Sequence, residues 1–418
     1  MQEDPLKIIN REGYVTLVEG EPGLGKTSLA LAACAKRVQK PGCEYISFAE
    51  PESSIRKKLS RISRKKVQDF KFFPALTGDV SMVFSEIIKG LQDGLLVVVD
   101  SLDALMFSIK SEEEMRSFLQ ILYGASKNKK GSLLLISENV NPSSKHIRFI
   151  CDALIKLERV EVLGSYVRRA IVQKDRDSRI VNPYFYYTLS DTIKIYSPFE
   201  LLTEQKYVSL KSYKRPKEGS VEAEQALGYN ILYEVDPSVS DLVLKVFRRT
   251  LAADFINRGL KVNYWLGPQE SEEEVYNDLK KLIGEKVSGL KTVFVDPQEF
   301  DYNPEEYLKY LVTTYGKENA VDLIHLLLQE DFAVKQPQEY ERFVKNATKE
   351  NLKLKRITIS FGYTDQEALR IRAKYSNVLR KITIKDGFLF WRSMRPLGNV
   401  YIVDLKLKSG RISFEEMY

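Results

Sequence analysis

One short stretch has residue types and spacing that could do chemistry: Gly20-Glu21-Pro22-Gly23-Leu24-Gly25-Lys26-Thr27, followed by Ser28. Glycines at this spacing let successive backbone N–H groups curl around phosphate oxygens. A helix opening at Lys26 would add the partial positive charge of its N-terminus. Lys26 would reach the β- and γ-phosphates of a nucleoside triphosphate, and the Thr27 hydroxyl would ligate Mg²⁺. The pattern G-x-x-x-x-G-K-[ST] also arises by chance in glycine-rich loops, so context decides. Here an apolar run, Val15 to Val18, precedes it, and an Ala/Leu-rich helical pattern follows. Strand, turn and helix in that order point to bound ATP and Mg²⁺.

Such a loop needs a second carboxylate on the metal side, at the end of another buried strand. "GLLVVVDSLDAL" supplies Asp100 after the unbroken run Leu95–Val99, a pattern suited to a parallel strand covered on both faces. Asp103 is the alternative carboxylate; it lies past the strand end and is expected to cap the next helix. Hydrolysis also needs a group that orients or deprotonates water. In "CEYISFAEPESSI", residues 44–48 alternate like a strand and Glu50 follows its carboxyl end. Ligands in an open α/β sheet bind beyond those ends. Glu50 is therefore the candidate catalytic carboxylate, the alternative being a solvated acid in a turn.

These residues need a mostly parallel sheet flanked by helices to position them, so the expected fold class is α/β. The chain has 418 residues, too many for one comfortable core, and two domains are expected. Hydrophobic content of 44% and charged content of 29% are those of a soluble globular protein. No apolar run approaches the roughly 20 residues that span a bilayer, and "MQEDPLK" is no secretory signal. A cytoplasmic protein without membrane association is expected, with Cys34, Cys43 and Cys151 as free thiols. Only His146 and His325 are present, which excludes a histidine-rich metal site. The net charge of +7 is uneven: residues 1–215 hold 34 basic and 26 acidic side chains, and the remainder is near neutral.

Together these pieces resemble the RecA superfamily, and within it the KaiC/RadA branch. Phe48-Ala49-Glu50 is similar to the "FEE" motif of KaiC-like domains, with Ala49 where the family often has a first glutamate. "DSLDAL" is similar to the family's "DS-x-x-AL", and "LLLISE" (Leu133–Glu138) and "CDALIKLERV" match later strands. "VRRAIVQKDR" resembles the segment ending in Lys-x-Arg, which in KaiC-like rings reaches the neighbour's γ-phosphate. The resemblance thus implies a homo-oligomeric ring in which Lys174 and Arg176 act in trans; the other reading is a solvated hairpin tip. The missing first glutamate implies slow hydrolysis.

The second half repeats the first in the same order. "NILYEVDPSVSDLVLKVFRR" parallels "VTLVEGEPGLGKTSLALAAC", and "NAVDLIHLLLQEDF" parallels "GLLVVVDSLDALMF". Aligning Pro237 on Pro22 places Val235, Ser240 and Asp241 where Gly20, Gly25 and Lys26 stand. Gly267 takes the place of Glu50, and His325 that of Asp100. The expected organisation is therefore a RecA/KaiC-like ATPase domain at 1–202, a polar linker at 203–225 and a degenerate RecA-like domain at 226–418. This asymmetry resembles the archaeal GvpD family of KaiC-related proteins, linked to repression of gas-vesicle genes.

Three functions stay in view. The first is a KaiC-like regulatory ATPase whose ATP or ADP state controls assembly or binding of a protein partner. The second is a DNA-dependent ATPase of the RadA recombinase type, for which "SSIRKKLSRISRKK" offers Arg56, Lys57, Arg61 and Lys65 on one helix face, and the loop 139–149 offers Lys145 and Arg148. The helix carries no interleaved aromatic residues for base stacking, and a solvated face is its plainer reading. The third is a scaffold that holds ATP without hydrolysing it.

Overall fold

The computed structural model describes residues 4–37, 42–63, 69–75, 80–109, 111–129, 131–138, 144–189, 193–196, 228–316, 320–406 and 411–417. They divide into two compact units, one built on Met1–Glu161 and Tyr166–Pro198 with Met417–Tyr418, the other on Phe199–Glu416 with Val162–Ser165. The expected linker 203–225 lies outside the described residues.

In the first unit the strands are β1 (Val15–Glu19), β2 (Cys43–Ser47), β3 (Phe70–Pro74), β4 (Leu96–Asp100), β5 (Ser132–Ser137), β6 (Ala153–Val162), β7 (Ser165–Asp175), β8 (Tyr184–Leu189) and β9 (Ile193–Tyr196). They form one sheet in the order 3-2-4-5-1-6-7-8-9, parallel from β3 to β6. The β7–β8 and β8–β9 pairs are antiparallel. The helices are α1 (Pro5–Ile9), α2 (Lys26–Lys36), α3 (Glu52–Ile62), α4 (Val80–Gln92), α5 (Leu102–Phe107), α6 (Glu112–Lys129) and α7 (Ser144–Ile150).

Alternation along the strands explains why helices cover both faces. On β1, Val15 and Leu17 pack with Val83, Ile87 and Leu119 of α4 and α6. Val18 points the other way, toward Leu29, Ala33, Ile55 and Leu59 of α2 and α3. β4 is buried from Leu96 to Val99 and only Asp100 emerges. Burying these branched side chains on two faces is the main driving force for the sheet, at about 25 cal/mol per Å².

The second unit uses β10 (Asn230–Val235), β11 (Lys261–Trp265), β12 (Leu290–Val293), β13 (Ala320–His325), β14 (Ile357–Tyr363), β15 (Val378–Lys385), β16 (Phe388–Arg395), β17 (Leu397–Lys406) and β18 (Arg411–Glu416). Its sheet runs 12-11-13-14-10-15-16-17-18, the first unit's order with nine added to every strand number. The helices are α8 (Asp241–Asn257), α9 (Glu272–Ile283), α10 (Pro304–Tyr315), α11 (Leu327–Lys335), α12 (Pro337–Lys353) and α13 (Glu367–Tyr375). The chain is thus α/β, with two nine-stranded, mostly parallel sheets flanked by helices. No described helix is long and apolar enough to cross a membrane.

The thiol expectation needs correction. Cys34, at the end of α2, and Cys43, at the start of β2, form a disulfide. Both elements pack into one core, which brings together two cysteines nine residues apart. Cys151 is buried as a free thiol.

A second buried polar feature lies under α4. Glu44 of β2 is 2% exposed and faces Glu86. Gly90 admits it, since a Cβ there would stand 2.2 Å from Glu44 Oε2. Burial, then the hydrogen bond and charge of Glu86, push the Glu44 carboxyl up to about 7, against weaker opposition from Lys71 and Lys89. The folded protein keeps this proton to about pH 7, whereas the unfolded chain releases it near 4.5. Wild type therefore loses stability as pH rises through that window, by up to about 3 kcal/mol. Glu44→Gln should be more stable than wild type at pH 8 and no more stable at pH 4, as read by urea denaturation; equal stability at pH 8 would contradict the assignment.

Candidate functional site

The glycine-rich turn occupies the carboxyl edge of the first sheet, between β1 and α2. Gly25 has φ 87° and caps α2. A Cβ there would lie 2.6 Å from Leu189 of β8, so the tight entry into the helix depends on glycine. The Tyr187 hydroxyl donates to the Leu24 carbonyl at 2.6 Å and props the turn from below. Glu21, Pro22 and Gly23 are exposed, and Ser28 is half-buried on the first turn of α2.

Lys26 is nearly buried and donates from Nζ to the carbonyls of Gly20 (2.6 Å) and Glu21 (3.1 Å). Burial lowers its pKa, while Glu138, Asp100 and Asp103 act to raise it. β5 separates β1 from β4, so Asp100 is reached across the sheet edge by α2. The Thr27 hydroxyl donates to Asp100 Oδ2 at 2.9 Å. Two hard oxygens this close, beside a helix N-terminus of eleven residues, fit a Mg²⁺–phosphate pair. Among the described residues no cluster of three or more His, Cys, Asp or Glu side chains is placed to hold a metal ion.

No motif in the sequence marks Tyr45. Its hydroxyl, fully buried, also donates to Asp100 Oδ2. Burial and then the charge of Asp100 hold this phenol well above its ordinary pKa, with a smaller contribution from Glu50. Glu50 thus lies within electrostatic reach of the Thr27–Asp100–Tyr45 cluster. The only signal was alternation on β2, which puts Tyr45 on the same face as α2.

Glu50 itself is held in place. Its N–H donates to Ser47 Oγ at 3.0 Å, and Ser47 Oγ donates back to its carbonyl at 2.8 Å. Ser54 Oγ donates to Oε2 at 2.6 Å, and Lys58 Nζ donates to both carboxylate oxygens. Partial burial would raise this carboxyl, but Lys58 and Ser54 outweigh it and hold Glu50 below the usual value.

Asp103 does not cap α5. Ser101 does so, accepting from the Ala104 N–H. The Asp103 carboxylate instead accepts from Ser137 Oγ (3.0 Å) and the Glu138 N–H (2.7 Å), tying the end of β5 to the first turn of α5.

Lys174 and Arg176 lie at the opposite edge of the sheet. Arg176 N–H donates to the Asp152 carbonyl, just before β6, where Ala153 pairs with Thr16 at the start of β1. They are no loose tip: buried Asp175 between them accepts both guanidinium nitrogens of Arg11 and the Tyr14 hydroxyl. Lys174 Nζ donates to the Arg148 and Phe149 carbonyls at the end of α7. Arg176 donates to the Phe149 carbonyl and to Tyr123. Both thus sit at the edge of the sheet away from the glycine-rich turn of their own chain.

The basic face of α3 is narrower than its sequence suggests. Arg56 pairs with Glu52 at 2.7 Å and covers the Phe70 ring. Lys57 and Arg61 are exposed, and Lys65 lies outside the described residues. Arg148 pairs with buried Glu19, while the side chain of Lys145 lies outside the described residues.

In the second unit the corresponding corner is filled. Asp241 opens α8 and accepts from the Tyr363 hydroxyl. The turn before it is closed by Ser238, whose N–H donates to Asp236 and whose hydroxyl donates to the Ile384 carbonyl. Gly267 was the expected counterpart of Glu50, but an acid does occupy this corner. Glu270, buried, accepts from Arg248 (2.7 Å), Arg249 (3.3 Å), Tyr264 (2.8 Å) and the Gly267 N–H (2.8 Å). His325 ends β13 with its pKa pushed down to about 4 by burial and then by Arg248. The cavity among these residues encloses about 20 Å³, room for about one water.

No known protein family matches this sequence, and no curated protein matches it.

Removing Glu270 takes the counter-charge from buried Arg248, while Arg249 keeps Asp278 and Glu274, so Glu270→Ala should cost roughly 3–5 kcal/mol. Both tryptophans, Trp265 and Trp391, are buried in the second unit, and their fluorescence during denaturation reads this loss directly. A loss under about 1 kcal/mol would show that the network is not a structural clamp.

Proposed function

We propose that the first unit binds Mg²⁺-ATP at Gly20–Ser28 and hydrolyses it slowly, as a RecA-like regulatory ATPase of the KaiC type. The observation that carries this reading is the direct contact between Thr27, at the N-terminus of α2, and Asp100, at the end of β4. It brings the two metal-side groups together beside the phosphate cradle. Mg²⁺ bound there would neutralise charge on the phosphate oxygens.

The chain's own groups have separable tasks. Backbone N–H groups of the turn and the start of α2 hold the phosphates. Lys26 exchanges its two carbonyl partners for phosphate oxygens. Tyr45 fixes the Asp100 carboxylate in the orientation that Thr27 meets. Glu50 orients the attacking water and accepts its proton, while the new bond to the γ-phosphorus forms and the bond to the β-bridging oxygen breaks, ADP keeping that electron pair. Lys174 and Arg176, placed away from their own loop, would supply charge to a neighbour's γ-phosphate in a homo-oligomer. The second unit, lacking a phosphate cradle, has a structural or regulatory part.

A second reading has an observation of its own: Glu50 is already engaged by Lys58 and Ser54, which suits a protein that holds ATP without turnover. Phosphate release separates the two. Under the ATPase reading, turnover per chain rises with protein concentration. Glu50→Gln lowers kcat at least tenfold with ATP still bound, Lys174→Ala/Arg176→Ala removes the concentration dependence, and Lys26→Ala abolishes binding. Tight ATP binding with no phosphate release at any concentration would favour the ligand-only reading.

A further inference from the structure

Lys58 lies in the basic run of α3 but apart from the outward set Arg56, Lys57, Arg61 and Lys65, and its ammonium turns back to Glu50. α3 starts two residues after Glu50, so Ser54 and Lys58, four and eight residues on, share one helix face one turn apart. That face looks back at the Glu50 carboxylate, with Lys58 Nζ on both oxygens and Ser54 Oγ on Oε2. The backbone of Glu50 is fixed by Ser47 at the same time. The described groups that face this carboxylate are therefore Lys58 and Ser54 from α3 and, at longer range, Tyr45 from β2.

We infer that Lys58 is a positioning residue that restrains Glu50 and keeps nucleotide turnover slow. The inference rests on the hydrolytic role proposed for Glu50. A carboxylate whose two oxygens are committed to an ammonium has less capacity to accept a hydrogen bond from water. It is also a weaker base, because the neighbouring cation stabilises the ionised form. Glu50 must exchange Lys58 for water before it can act, and Lys58 sets how often that happens. The pair is partly solvent-exposed, at 42% and 32% for the two side chains, so it can open without unfolding α3.

The test is a comparison of wild type, Lys58→Met, Lys58→Arg, Glu50→Gln and the Lys58→Met/Glu50→Gln double variant in steady-state ATP hydrolysis. Lys58→Met keeps the apolar stem and should raise kcat by roughly three- to tenfold, with KM for ATP unchanged. The acid limb of its pH–rate profile should move to higher pH as Glu50 returns toward an ordinary carboxylate. Lys58→Arg should stay near wild type, and the double variant should be no faster than Glu50→Gln. An unchanged or lower kcat in Lys58→Met, with turnover still dependent on Glu50, would overturn the restraint and leave the ATPase reading standing. Turnover insensitive to Glu50→Gln would instead sink the hydrolytic role. The Glu50 carboxyl titration, followed by ¹³C NMR, gives a readout free of catalysis: it should shift upward in Lys58→Met, and no shift would overturn the inference.

Discussion

One carboxylate oxygen organises the candidate site. Asp100 Oδ2 accepts hydroxyl hydrogens from Thr27 of α2 and Tyr45 of β2, so helix, strand and strand end converge on a single acceptor. This convergence depends on the parallel sheet. β4 emerges from a core buried on both faces only at Asp100, and β2 lies beside it with Ser47 paired to Asp100. Everything polar at this edge is then fixed relative to that point: Lys26 one residue before Thr27, Ser47 and Glu50 two and five residues after Tyr45, and Asp103 bridging to β5. A shift of one residue in β2 would turn Tyr45 to the opposite face and break the cluster.

The second unit shows what the same scaffold becomes without this arrangement. Its strand order is the same, and Tyr264 of β11 stands where Tyr45 stands relative to the neighbouring strand end. There the strand ends in His325, a neutral imidazole, and the tyrosine donates to Glu270 instead. Arg248 and Arg249 of α8 then neutralise Glu270 internally. A corner that is electrostatically open in the first unit is closed in the second by its own side chains. Burial of charge is tolerable there because each carboxylate oxygen has two donors.

Much of this was legible in the sequence because it is local. The glycine-rich turn between an apolar strand and a helix, the run ending in Asp100, and the repeated order of elements are all patterns along the chain. What the sequence could not show depends on side chains meeting across elements. The pairing of Cys34 with Cys43 follows from α2 packing on the start of β2. Tyr45 reads as a core aromatic until its hydroxyl is seen at Asp100. Lys58 reads as one cation among seven, and its direction is set by the turn that Ser47 imposes on Glu50. The Glu270 network is hidden for another reason: with Pro268 opposite Pro51, Gly267 stands at the place of Glu50 and the acid comes three residues later. The segment 174–176 is a further case, since its alternating charge leaves a solvated tip open as one reading, while Asp175 is anchored by Arg11 and Tyr14.

Under the proposed function the chain is asymmetric, with one phosphate cradle in the first unit and a corresponding corner in the second that is filled by its own side chains. The most direct test of this asymmetry is the stoichiometry of a non-hydrolysable ATP analogue with Mg²⁺, measured by isothermal titration calorimetry on the full chain and on Lys26→Ala. One site per chain is expected in the wild type and none in Lys26→Ala. Two sites per chain, or binding that survives Lys26→Ala, would contradict it.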